Sequence, residues 1–275
     1  MPRWILSGFA DEISNDPHVQ LPVLLGLGAK HVEVLSAWGI NVAELSEEET
    51  SRFASMLDEH GVAVSAIGSP VGKSSLDDPL DNEVARLDRV MDIAERLGTG
   101  YVRIFSFFVP DGSSHDALRA EVMDRMSTLA QHAERRGIVL LHENEKGIYG
   151  DIPKRGHDLV TTVNSPALRL TWDSANFVQL GVKPFTDGYE LLAPYVDYLQ
   201  IKDALFADRS VVPAGEGDGE LRETLAAFAR DGFEGFASLE PHLPSDTDGF
   251  PGAFAFGRAT RALRRLTDEI GIELS

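Results

Sequence analysis

Short apolar runs alternate with longer amphipathic stretches along the whole chain. The runs 4–9, 31–35, 62–67, 101–105, 138–142, 168–172, 196–201 and 236–239 have the length and near-continuous hydrophobicity of strands buried on both faces. The stretches between them announce helices by their ends. Asp16-Pro17 opens the first as cap and first-turn proline, and the helix runs to Gly26 or Gly28. Ser46 with Glu49 three residues on makes a capping box, and that helix stops at His60 before Gly61. From Pro79 to Gly98, Val84, Leu87, Val90, Met91, Ala94 and Leu97 recur at helical spacing. Further helices are predicted over 114–136, 153–163, 220–230 and 254–270, with a helix or irregular turn over 187–193.

Strands alternating with helices imply a parallel sheet. Eight such units in order, with no linker or composition shift, predict one (β/α)8 TIM barrel domain over residues 1–275; such barrels typically take ~250 residues. The competing doubly wound sheet usually carries a G-x-G-x-x-G turn after its first strand, and residues 7–14 have none.

Hydrophobic residues make up 43% of the chain, enough for a sizeable core, and the formal charge is −19. An acidic surface repels phosphate backbones, which argues against a nucleic-acid partner. The absence of cysteine excludes disulfides, thiolate metal sites and cysteine nucleophiles. The N-terminus from Met1 to Leu6 is too short in apolar residues for a signal peptide, and no run is long enough to cross a bilayer. The expectation is a soluble cytoplasmic protein without a membrane partner. A homo-oligomer is compatible with the pattern and not specified by it.

Several familiar motifs are approached and missed. Gly68 to Ser74 resembles a P-loop, but three residues rather than four separate Gly68 from Gly72-Lys73-Ser74. His142-Glu143 does not begin H-E-x-x-H, because residue 146 is Lys. No G-x-S-x-G elbow occurs, which argues against a serine hydrolase. Gly215-Glu216-Gly217-Asp218-Gly219 is read as a mobile glycine loop rather than an anion cradle.

The chemistry gathers at the strand ends. The fifth strand breaks into His142-Glu143-Asn144-Glu145, the sixth ends at Asp173, the seventh at Gln200 to Asp203 and the eighth at Glu240. C-terminal ends of neighbouring barrel strands meet at one mouth. Carboxylates meeting there repel unless a cation lies between them or some are protonated. Oxygen donors favour a hard divalent ion. Strand parity groups Leu141, Glu143 and Glu145 on one face and Leu140, His142 and Asn144 on the other. It likewise groups Tyr198, Gln200 and Lys202, and Ser238, Glu240 and His242, without saying which face points inward. Asp203 is read as a cap or loop ion pair.

Four strand-end segments, His142-Glu143-Asn144-Glu145, Trp172-Asp173-Ser174-Ala175-Asn176, Gln200-Ile201-Lys202-Asp203 and Ser238-Leu239-Glu240-Pro241-His242, resemble the sugar phosphate isomerase/epimerase superfamily, the xylose-isomerase-like TIM barrels that include ketose 3-epimerases. The resemblance covers nearly the whole chain. It implies a metal held by Glu143, Asp173, Gln200 and Glu240, with Gln200 standing where the family has histidine. An amide oxygen in that place shifts the preference to Mn²⁺ or Mg²⁺, with Zn²⁺ or Co²⁺ as alternatives. Asn176 stands where epimerases of the group usually carry a substrate-contacting histidine, and it cannot titrate. The implied activity is isomerisation or epimerisation of a small-molecule sugar or sugar derivative. Glu143 and Glu240 would move a proton next to a carbonyl, through a metal-stabilised enediolate. Lys202, His242, Asn176, Arg103 and His142 are the candidates for orienting hydroxyls. For His142 a packed, backbone-bonded role competes. Lys202 has Asp203 and Glu240 as rival partners. A dehydratase is the nearest alternative, and Gln200 with Asn176 also suggests a non-catalytic sugar-binding barrel.

Overall fold

A computed structural model describes residues 2–244 and 250–275; Met1, the head of the short apolar N-terminus, lies outside them. Its parallel strands follow the chain: β1 (Arg3–Gly8), β2 (His31–Val34), β3 (Ala63–Gly68), β4 (Tyr101–Ile104), β5 (Val139–Glu143), β6 (Leu168–Asp173), β7 (Val196–Ile201) and β8 (Phe236–Leu239). Each of β2 to β7 pairs in parallel with its successor, and β8 returns to β1. A parallel bridge between Phe9 and Glu33 joins β1 to β2 at the upper end, while a terminal strand, Glu273–Leu274, lines the start of β1. This is the (β/α)8 architecture, in one α/β domain.

The helices are α1 (Pro17–Gly26), α2 (Glu47–His60), α3 (Leu80–Leu97), α4 (His115–Arg135), α5 (Pro153–Val163), α6 (Ser174–Gln179), α7 (Pro184–Leu192), α8 (Leu221–Arg230) and α9 (Pro251–Ile270). Local chemistry sets their ends. Ser46 and Glu49 form the reciprocal capping box of α2, and Gly61 ends that helix at φ 65°, where a side chain would be strained. Two departures from the expected pattern cluster after β6. The six-residue α6 follows that strand at once, because Asp173 caps it by accepting the Asn176 amide at 2.9 Å. Helix α7 then begins at Pro184 rather than at 187.

Which strand face points inward is settled by packing. Ala66, Leu141 and Tyr198 form a small cluster inside the barrel, flanked by Tyr101, Val139 and Phe236. Burying each large side chain there contributes about 1.5–3 kcal/mol. Trp172 faces the other way, edge-on to Phe177, Tyr189 and Phe228 at ring-centroid distances of 5.5, 6.2 and 5.7 Å in the layer between strands and helices. The period-two alternation then carries Glu143, Asp173 and Gln200 inward, above the apolar floor. No helix among the described residues is long and apolar enough to cross a membrane.

Candidate active site

Register brings the strand-end residues to neighbouring levels. Asp173 on β6 is paired with Gln200 on β7, which is paired with Ser238 on β8, two residues before Glu240. One oxygen from each of Glu143, Asp173 and Glu240 lies within 4.8 Å of the others. All are shielded from solvent: Asp173 and Gln200 are 0% exposed, Glu143 2%, Lys202 5% and Glu240 9%. Such a group of carboxylates is costly in a low-dielectric interior unless cations face it.

Two protein cations do. Arg103 on β4 points inward with Nε 3.2 Å from Glu143 Oε2, and its guanidinium stacks over Phe105 at 4.5 Å. Lys202 Nζ lies 2.7 Å from Glu240 Oε2, as a hydrogen bond, and 2.9 Å from Asp173 Oδ2, as a charge contact without hydrogen-bond geometry. Of the two partners considered for Lys202, Asp203 is occupied elsewhere. Its carboxylate accepts the amides of Ala204, Gly215, Gly217 and Gly219 at 2.9–3.1 Å and folds the glycine loop around itself. That loop is a built turn, and a carboxylate fills its amides.

The cations and burial divide the acids. Burial pushes Glu143 up to about 6, with Arg103 opposing it. Burial pushes Asp173 up to about 8, against the pull of Lys202 and aided by Glu240 and Glu143. Burial would also raise Glu240, but Lys202 and His242 outweigh it and hold that carboxyl at about 2. Burial would lower Lys202, but Asp173, Glu240 and Glu143 outweigh it and keep the ammonium charged well above its usual range.

The other predicted residues fall into two groups. Asn176, on α6, donates Nδ2 to Glu143 Oε1 at 2.9 Å, so it holds a carboxylate of the cluster. His242, at the mouth, has Nε2 3.5 Å from Glu240 Oε1 and 3.5 Å from Glu12 Oε1. His142 does not join them. It sits on the outward face of β5, with Nε2 2.9 Å from Ser106 Oγ, which also accepts the Gly150 amide at 2.8 Å. Burial takes its pKa to about 3, so the ring is a neutral packing element; it is packed rather than placed for a substrate contact, and its partner is a side-chain hydroxyl rather than the expected backbone group.

Two further residues support the cluster, and Glu33 is the one the sequence reading missed. Asn144, adjacent to Glu143, exchanges hydrogen bonds with the peptide of Asp173 at 2.8 and 3.1 Å and so locks two strand ends together. Glu33 on β2 accepts Gln200 Nε2 at 3.0 Å across the barrel. Its one available signal was an acid inside an otherwise apolar strand. Burial pushes Glu33 up to about 7, with Arg103 opposing.

Glu33 also determines how Gln200 presents itself. With the amide nitrogen taken, the carbonyl oxygen is the free end, and Gln200 Oε1 and Asp173 Oδ2 are both buried without a hydrogen-bond partner. Buried polar atoms are nearly always satisfied. Asp173 Oδ2 has only the Lys202 charge contact, and the partnerless Gln200 oxygen, in register with Asp173, together with three converging carboxylates fits a hard divalent cation held by oxygen donors. Burial leaves protons on Asp173 and Glu33 while Arg103 and Lys202 face Glu143 and Glu240, and a divalent ion at this centre would take the place of those protons.

Comparison with known proteins agrees with this architecture. A family model described as a xylose isomerase-like TIM barrel matches residues 23–266. A curated relative, the 2-epi-5-epi-valiolone 7-phosphate 2-epimerase of Actinoplanes sp., is 34% identical over 146 residues, 52% of this chain and 50% of its own length. The chain thus aligns with about half of that relative. Among solved structures, the IolI protein with a binding zinc atom superposes with a TM-score of 0.80 at 18% identity, covering 98% of this chain and 99% of that one. A xylose isomerase-like TIM barrel protein from Mycobacterium smegmatis in complex with magnesium superposes at 0.72 with 22% identity, covering 97% of each chain. These two likenesses establish the fold.

Proposed function

The chain belongs to the xylose isomerase-like TIM barrel family, and we propose that within it this protein is a divalent-metal-dependent epimerase or isomerase of a small polyhydroxylated ketone, a sugar or sugar derivative. The observation that carries the reading is the convergence of Glu143, Asp173 and Glu240 within 4.8 Å, beside the unsatisfied Gln200 carbonyl. The epimerase name of the Actinoplanes relative supports the same class.

Glu143, Asp173, Gln200 and Glu240 would hold the ion, with Mn²⁺ or Mg²⁺ preferred for an all-oxygen donor set and Zn²⁺ or Co²⁺ as alternatives. When bound, such an ion supplies Lewis-acid stabilisation of negative charge on a substrate carbonyl oxygen. The remaining work falls to the chain. Glu143, held near 6 by burial against Arg103, is poised to take a proton from the carbon next to the carbonyl at neutral pH. Asn176 fixes its Oε1, so the base is oriented before substrate arrives. On the second side Glu240 is ionised, and the Lys202 ammonium beside it is the group that carries a proton to return. Arg103 and His242 remain to orient hydroxyls. The test is turnover of ketoses and cyclitol ketones with added Mn²⁺. The reading expects activity with the metal and its loss, by about 10²–10⁴-fold, in Glu143→Gln. Full activity in a chelated, metal-free sample would refute it.

A further inference from the structure

Lys202 stands where a metal ion would compete with it. Its ammonium contacts Glu240 Oε2 and Asp173 Oδ2, two of the three carboxylates that converge on the centre, and it is 5% exposed. A lysine ammonium and a divalent ion cannot use the same lone pairs at once, and two cations packed against one carboxylate pair repel. The lysine is nevertheless well placed to leave. It sits one residue beyond the end of β7, on a flexible four-carbon stem. Arginine at this position would grip the carboxylates with a fixed fork, which lysine lacks.

We propose that Lys202 is a resident counter-cation of the three-carboxylate centre, and that metal uptake is an exchange in which the divalent ion displaces the lysine from Asp173 and Glu240. The inference rests on the metal reading above and extends it to how the ion enters. Whenever no ion is bound, the lysine ammonium faces both buried carboxyls and offsets the charge of Glu240, so the metal-free barrel keeps its fold. It also sets the metal affinity below what the four oxygen donors would otherwise give. The displaced ammonium is free for a substrate oxygen only in the loaded protein, which couples hydroxyl recognition to metal occupancy.

The test compares wild type with Lys202→Met and Lys202→Gln. Mn²⁺ affinity is read by isothermal titration, and melting temperature is read with and without Mn²⁺. Both variants are expected to bind Mn²⁺ roughly tenfold or more tighter than wild type, because no ammonium has to be expelled. Both are expected to melt lower than wild type without metal, and to gain more from saturating Mn²⁺. If a variant folds only in the presence of Mn²⁺, and not in monovalent salt of equal ionic strength, that outcome supports the exchange. Mn²⁺ binding in the variants that is equal to or weaker than wild type overturns the exchange and leaves the metal reading standing. A misfolded variant that Mn²⁺ does not rescue overturns it too. Absence of Mn²⁺ binding in wild type and both variants overturns both.

Discussion

Glu33 lies across the barrel from the proposed ligands, and replacing it with leucine tests how they are positioned. In the structure Glu33 Oε1 accepts Gln200 Nε2 at 3.0 Å, with both side chains buried. Leucine puts an apolar side chain of similar bulk in its place and removes the acceptor. The lost bond is worth about 1.5–3 kcal/mol when the carboxyl is ionised. Burial holds Glu33 at about 7, so part of that loss is offset by relief from burying a carboxylate. Fold stability should therefore change little, and the effect should concentrate in metal binding. With its nitrogen unanchored, the Gln200 amide is free to turn its NH₂ toward the carboxylates and withdraw the carbonyl oxygen. Residues that orient a metal ligand from behind typically matter 10–100-fold in affinity, which is about 1.4–2.7 kcal/mol. Isothermal titration with Mn²⁺ measures this directly, with thermal melts as the folding control. Glu33→Gln should retain more affinity than Glu33→Leu, because its side-chain carbonyl can still accept from Gln200. Wild-type Mn²⁺ affinity in Glu33→Leu would refute the reasoning.

Other consequences follow from the same interior. Glu12, Glu33 and Asp11 are raised, mainly by burial, to about 8, 7 and 6, so the folded state binds protons that the unfolded state releases. Their stabilisation is full below their ordinary range near pH 4 and is lost as pH rises through 6–8. Glu240, held at about 2, works oppositely, but its contribution is lost only in strong acid. The melting temperature of metal-free protein should thus fall between pH 5.5 and 8.5, and a rise would contradict the assignment. Asp203→Asn places an NH₂ among the amides of Ala204, Gly215, Gly217 and Gly219. It should cost about 1.5–3 kcal/mol in urea unfolding and speed hydrogen exchange across residues 215–219. A change below about 0.5 kcal/mol would show that the loop does not depend on the carboxylate. Gly72 sits at φ 80°, and a Cβ there would fall on the Phe105 carbonyl oxygen, so Gly72→Ala should lose about 2 kcal/mol or more in the same assay.

Much of the barrel was legible in the sequence because its signals are local. Ser46 with Glu49, Asp16 with Pro17, and the apolar runs each report on a few neighbouring residues, and the elements formed where those signals lay. Parity grouped Glu143 with Leu141, but only the cluster of Leu141, Tyr198 and Ala66 identified that face as the inner one. The same step sent His142 outward to Ser106. Helix α6 was missed because Asp173 serves as its cap, and a residue read as a strand-end ligand does not announce a helix. Contacts across the barrel were the least visible. Gln200 and Glu33 are 167 positions apart, and no spacing rule connects them. Lys202 had Asp203 beside it in sequence, yet the fold gives Asp203 to a glycine loop and Lys202 to Asp173 and Glu240.

The central claim is that the carboxylates of this mouth move a proton at a carbon next to a carbonyl. Solvent isotope incorporation tests it most directly: Mn²⁺-loaded protein is incubated with a responsive ketose or cyclitol ketone in D₂O, and the product is read by NMR. The account predicts one deuteron at the carbon next to the carbonyl, with incorporation abolished in Glu143→Gln. Product formed at full rate without deuterium in that position would contradict it.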